Sequence, residues 1–126
     1  PMDYAVLDLK GTFRFFPHPK LSDSEKKRFD YTFVKVLKLN EGDRDHLMDG
    51  RKQAYGDYKA RFKEYLEEKR AGANAQKLDV LILGIQTHNH LTVWREMQRY
   101  QREGWMSRVD PEVNRLFLDA PEAMDW

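Results

Sequence analysis

The sequence contains no cysteine, which excludes disulfides, thiolate metal ligands and cysteine nucleophiles together and accords with a reducing, cytoplasmic setting. Long apolar runs are missing too. The most apolar stretch, Val80 to Leu83 followed by Gly84 and Ile85, falls far short of the roughly 20 residues needed to span a bilayer. Charge of one sign is not in surplus either. The 22 Lys and Arg against 21 Asp and Glu leave a net charge of +1, so no overall field gathers polyanions and a nucleic-acid role has to rest on a local patch. The glycine-rich phosphate loop, the G-x-S-x-G elbow, the H-E-x-x-H pair and the Gly-x-Gly-x-x-Gly fingerprint are all absent, which removes the mechanisms most visible in sequence.

What is present suits one domain over residues 1–126. With 40% hydrophobic residues, the chain is long enough to bury a core without metal or disulfide staples and too short for two independent domains. Pro1 before Met2 reads as a protease-cleavage scar ahead of an initiator methionine, and the N-terminus lacks the basic-then-apolar order of a secretion signal. The sharper alternative is a processed N-terminal proline acting as base or nucleophile, as in the tautomerase superfamily. Asp3 and Asp8 are poor company for the cationic, anion-binding site such an enzyme needs.

Periodicity predicts a mainly α, or α+β, fold: an amphipathic helix bundle with an N-terminal β-hairpin. Tyr4 to Leu9 and Thr12 to Phe16 read as strands joined by a two-residue Lys10-Gly11 turn, with Pro17 ending the second. Ser22 and Glu25 form a capping box for a helix from Asp23 to Leu39, although Tyr31 to Leu39 also satisfies a strand's period of two. Leu47, Ala54, Tyr58, Phe62, Tyr65 and Leu66 mark one stripe of a long helix from Asp43 to about Arg70, with Gly50 and Gly56 as sites for a bend or break. The stretch from Leu78 to Ile85 is so evenly apolar that periodicity does not separate buried helix from buried strand; helix is the reading taken. Asn89 is placed to cap a helix whose apolar stripe is Val93, Met97, Tyr100 and Gly104, and Asp110-Pro111 opens a last helix with Val113, Leu116 and Phe117 inward. Residues 119–126 form an acidic tail. Strands at both ambiguous segments would instead build a small antiparallel sheet covered by helices.

Two features point toward partners. Arg95, Gln98, Arg99 and Arg102 lie three and four apart on one helix face, where arginine can grip phosphate through paired N–H groups. From Trp94 to Arg108 the four arginines outnumber two glutamates, a balance of +2 that equally suits an ordinary solvated face. Trp94, Trp105 and Trp126 are the second feature, because tryptophan is enriched at interface hot spots and three are hard to hide in a small domain.

Metal-ligating patterns are thin. His88 and His90 would share a side only on a strand, with His18 or His46 as a distant third ligand, and Leu47 breaks the calcium-loop pattern of Asp43, Asp45, His46 and Asp49. No cofactor or metal is called for. The expected function is therefore protein binding without chemistry, as in an adaptor, inhibitor or assembly factor of the kind found among small proteins of phages and mobile elements. Nucleic-acid binding through the Arg95, Arg99 and Arg102 face is the alternative, the tautomerase-like enzyme the third, and self-association is open.

Overall fold

The computed structural model describes residues 5–29 and 45–126. Among these residues the fold is mainly helical with a two-stranded antiparallel hairpin at the N-terminal end, as the periodicity predicts. No described helix is long and apolar enough to cross a membrane. The chain divides into two compact units, Pro1–Lys52 and Gln53–Trp126.

In the first unit, β1 (Ala5–Leu7) pairs with β2 (Phe15–Pro17), in the register Ala5 to Pro17, Val6 to Phe16 and Leu7 to Phe15. The strands are shorter than predicted and the connection longer, running over residues 8–14 instead of turning at Lys10-Gly11. Asp8 is the cause. Its carboxylate accepts from the backbone N–H of Lys10 and Thr12 (both 2.9 Å) and from the Thr12 hydroxyl at 2.7 Å, which holds a wide turn. Burial works to raise the Asp8 carboxyl, but those hydrogen bonds outweigh it and hold its pKa below the ordinary carboxylate value. Positive φ falls on Phe13 (52°) and not on the glycine. Arg51 steadies that unusual backbone: its Nη1 donates to the Phe13 carbonyl at 2.8 Å, and its guanidinium lies 4.7 Å from the centre of the Phe15 ring. Phe13 and Phe15 are both buried, and Pro17 belongs to β2 as its last residue.

The capping box forms as predicted. The Ser22 N–H donates to Glu25 Oε1 at 3.1 Å, the Glu25 N–H donates to Ser22 Oγ at 3.3 Å, and α1 (Asp23–Phe29) follows. The rest of the expected helix to Leu39, including the ambiguous Tyr31 to Leu39, lies outside the described residues.

Helix α2 (Asp45–Arg70) runs unbroken past both Gly50 and Gly56, because the stripe Ala54, Tyr58, Phe62, Tyr65 and Leu66 is buried throughout. It ends in a Schellman motif. Gly72 takes φ 83°, its N–H donates to Lys69 O, and the Ala73 N–H donates to Glu68 O at 2.9 Å. The remaining elements of the second unit are α3 (Ala75–Gln86), α4 (Leu91–Arg102), the single turn α5 (Met106–Val109), α6 (Pro111–Asp119) and a final 3₁₀ turn, Pro121–Asp125. Leu78 to Ile85 is thus helical. The start of α4 differs from expectation: His90 (φ 54°), and not Asn89, is its N-terminal flank, without a side-chain cap. The Asn89 carbonyl instead accepts from Tyr58 Oη at 2.9 Å, tying the turn to α2.

Candidate interaction surface

The second unit is organised around α4, whose side chains are mostly inside. Val93, Trp94, Met97 and Tyr100 are buried, and so are the polar Glu96 and Gln98. Trp94 meets Tyr58 and Phe62 of α2 at ring-centre distances of 5.6 and 5.7 Å, Phe117 of α6 at 5.7 Å and Trp126 at 6.2 Å, nearly parallel to the last. Its Nε1 finds no hydrogen-bond acceptor among the described residues. Trp94 is therefore a core residue, fully buried.

Trp105 and Trp126 are half-buried, each held by its own chain. Gly104 takes φ 77° after α4, its N–H donates to Gln101 O, and the Trp105 N–H donates to Tyr100 O at 2.9 Å. In this Schellman geometry the residue after the glycine packs back on the last turn, and the Trp105 ring lies edge-on to Tyr100 at 5.3 Å. Trp126 inserts between Tyr65 (4.6 Å) and Phe62 (5.9 Å). Gln98 secures it: Nε2 donates to the carbonyls of Ala123 (2.9 Å), Met124 (3.3 Å) and Trp126 (3.0 Å). The acidic 119–126 segment is thus docked on its own unit, with Glu122 accepting from Tyr65 Oη at 2.7 Å and from Lys69 Nζ at 2.6 Å.

These placements divide the predicted arginine face. Gln98, only 4% exposed, serves the C-terminal turn and leaves the stripe. Arg99 is drawn against the buried Glu96 at 3.2 Å. Arg95 and Arg102 remain exposed, seven residues apart on one side of α4, without an ion pair among the described residues.

A polar network joins α2 to the start of α6. Asp110 caps that helix through the Val113 N–H and also accepts from Tyr55 Oη at 2.7 Å and Lys59 Nζ at 3.0 Å. Lys59 and Lys63 both pair with Glu112. Burial works to raise the Asp110 carboxyl, but Tyr55, Lys59 and the Val113 N–H prevail and lower its pKa. Desolvation, and then the bond to Asp110, push the Tyr55 hydroxyl well above the ordinary tyrosine value. A tyrosine so committed is a poor proton donor, and the network works as a tether. His88 Nε2 lies 3.2 Å from Asp57, its ring edge-on to Tyr58, while His18 Nδ1 accepts from the Lys20 N–H. Among the described residues no three His, Cys, Asp or Glu side chains converge as a metal site. Pro1 and Asp43 lie outside the described residues.

One surface departs from expectation in the other direction. Of the apolar stretch predicted to be buried, only Ile85 is, while Leu78, Leu81 and Ile82 are half-buried. Val80 is 64% and Leu83 56% exposed, on the side of α3 away from Ile85. A dozen residues present one such face to α2, and the unit's core is already filled by aromatic rings, so the surplus apolar side chains stay outside. A signal for this surface exists in the sequence. From Val80 to Trp94 there is no Lys, Arg, Asp or Glu in a chain that is 34% charged, and depletion of charge marks the centres of interfaces. Compared with known proteins, the chain matches no family model, no curated protein and no solved structure.

Proposed function

We propose that the protein is a non-enzymatic binding module that docks protein through the outer face of α3. The observation that carries this reading is the pair Val80 and Leu83, both more than half exposed on a helix whose charged residues, Lys77 and Asp79, lie in its first half. Leaving an isolated apolar side chain in water is common; two on adjacent turns, flanked by half-buried Leu81 and Ile82, make a patch suited to another apolar surface. Trp105 and Trp126 play no direct part, since each already has a ring partner in its own chain. The test is affinity capture with the full chain after nuclease treatment, comparing native protein with Leu83→Asp and Val80→Asp. Captured protein should be lost with both variants while thermal unfolding stays unchanged; retention in both would refute the assignment.

Arg95 and Arg102 favour a second reading, nucleic-acid binding along α4, because both are exposed and free of acidic partners among the described residues. Two arginines predict weak affinity that falls with salt and disappears in the doubly alanine-substituted chain. A response flat in salt would remove it.

A further inference from the structure

We propose that the occupant of the α3 face is a second copy of this chain, the two α3 helices lying parallel about a two-fold axis. This rests on the reading of α3 as a docking face and adds the partner's identity and orientation. Gln76, Val80, Leu83 and Thr87 are exposed at 4-3-4 spacing, the rhythm of the seam between paired helices. The edges of that seam carry opposite charge. On one edge is Asp79, exposed and without an ion pair among the described residues. On the other is Gly84, a position lacking a side chain, and there Arg61 of α2 stands in: its Nη1 donates to the Gly84 carbonyl at 3.4 Å. A Cβ at Gly84 would come within 3.1 Å of that nitrogen, so the glycine leaves the guanidinium room at the seam's edge.

Symmetry then selects the orientation. If the two-fold axis runs along the helices, the edges cross over. The residue just before a seam position then faces the one just after the next seam position on the other helix, so 79 meets 84. Asp79 of each copy faces Arg61 of the other, giving two identical attractive pairs. If the axis is perpendicular and the helices antiparallel, like edges meet, and aspartate faces aspartate while arginine faces arginine. The seam itself is uncharged in either case, so the edges decide. From Gln76 to Thr87 it spans about 17 Å at the helical rise, less than a standard interface covers, and association is accordingly weak and reversible.

The test is sedimentation equilibrium of the full chain from low to high micromolar concentration. The average mass should rise from 15.1 kDa toward that of two chains. Leu83→Asp should stay at one chain throughout. Arg61→Glu and Asp79→Lys, each alone, place like charges together in both pairs and should also stay at one chain, yet an equal mixture of the two should associate again as a mixed pair. All three substituted residues are exposed, and matching circular dichroism and urea midpoints show that each variant folds. A single-chain mass at every concentration, or single charge variants that associate as the native chain does, overturns the proposal. A chain that stays single while Leu83→Asp still abolishes capture of another protein overturns the second copy and leaves the docking face standing. Should Leu83→Asp alter neither, both readings fall.

Discussion

α3 and α4 each have 12 residues, and composition alone assigns them opposite fates. α3 is the most apolar segment of the chain, yet it buries Ile85 alone. α4 carries three arginines and a glutamate, yet it buries six residues, two of them polar. The difference lies in arrangement. α4 confines Arg95, Arg99 and Arg102 to one narrow arc, so every other direction is open to packing, whereas α3 spreads its apolar side chains around the helix and only one side meets a neighbour. Apolar content measures what burial could contribute; alignment with the available neighbours decides what burial occurs. The surplus on α3 is surface that folding leaves unused.

The largest contrast should appear in truncations. Phe62→Ala removes a ring that touches Trp94, Phe117 and Trp126 and should cost about 3–5 kcal/mol in urea unfolding, whereas Leu83→Ala should stay within about 0.5 kcal/mol. A loss near 2 kcal/mol at Leu83 would mean that the outer face of α3 belongs to the core and would erase the comparison.

Gln98→Ala comes next, at about 1–3 kcal/mol, since it strips hydrogen bonds from three carbonyls of the C-terminal turn. Amide exchange should quicken first in residues 121–126. Uniform exchange across α4 would show that Gln98 supports the helix and not the turn.

Asp110→Ala should cost about 1–2 kcal/mol through loss of the α6 cap and of its bonds to Tyr55 and Lys59. Its folded pKa is depressed, so its contribution is complete above the ordinary value of 3.8 and is lost as the pH falls through the folded pKa. Acid should thus lower the native urea midpoint more than that of Asp110→Ala. Equal acid sensitivity would assign the effect to other carboxylates such as Glu122, which is lowered by Lys69 and Tyr65 against the opposing effect of burial.

Gly104→Ala should give the smallest of the core-side losses, about 1 kcal/mol, because φ 77° is strained for alanine while the space around a new Cβ is open. The Tyr100–Trp105 contact should loosen with it, read as a red shift in tryptophan emission. An unshifted spectrum would show that the ring contact holds without the glycine.

Patterns confined to neighbouring residues are legible in the sequence. The stripe from Ala54 to Leu66, the capping box of Ser22 and Glu25, and the Asp110-Pro111 helix start depend on spacing along the chain, and local backbone physics is enough to read them. The hairpin's connection is not legible in this way, because the three donors gathered by the Asp8 carboxylate displace the turn that Lys10-Gly11 would form by itself.

The candidate site is less legible than the fold. Trp94, Trp105 and Trp126 carry chemistry suited to an interface, but the sequence does not show that two are claimed by ring partners in α2 and the third by the end of α4. Gln98 shares a helical face with the arginines by spacing, and the arrival of the C-terminal carbonyls beside it decides that it turns inward.

By itself, then, the sequence determined the mainly helical class, the hairpin, the helix α2, and a chain without cysteine or surplus charge. The tertiary structure alone decided which apolar residues the core uses. Burial depends on which elements arrive beside each face, and once Phe62, Trp94, Phe117 and Trp126 fill the second unit, Val80 and Leu83 have nothing of their own unit left to cover them.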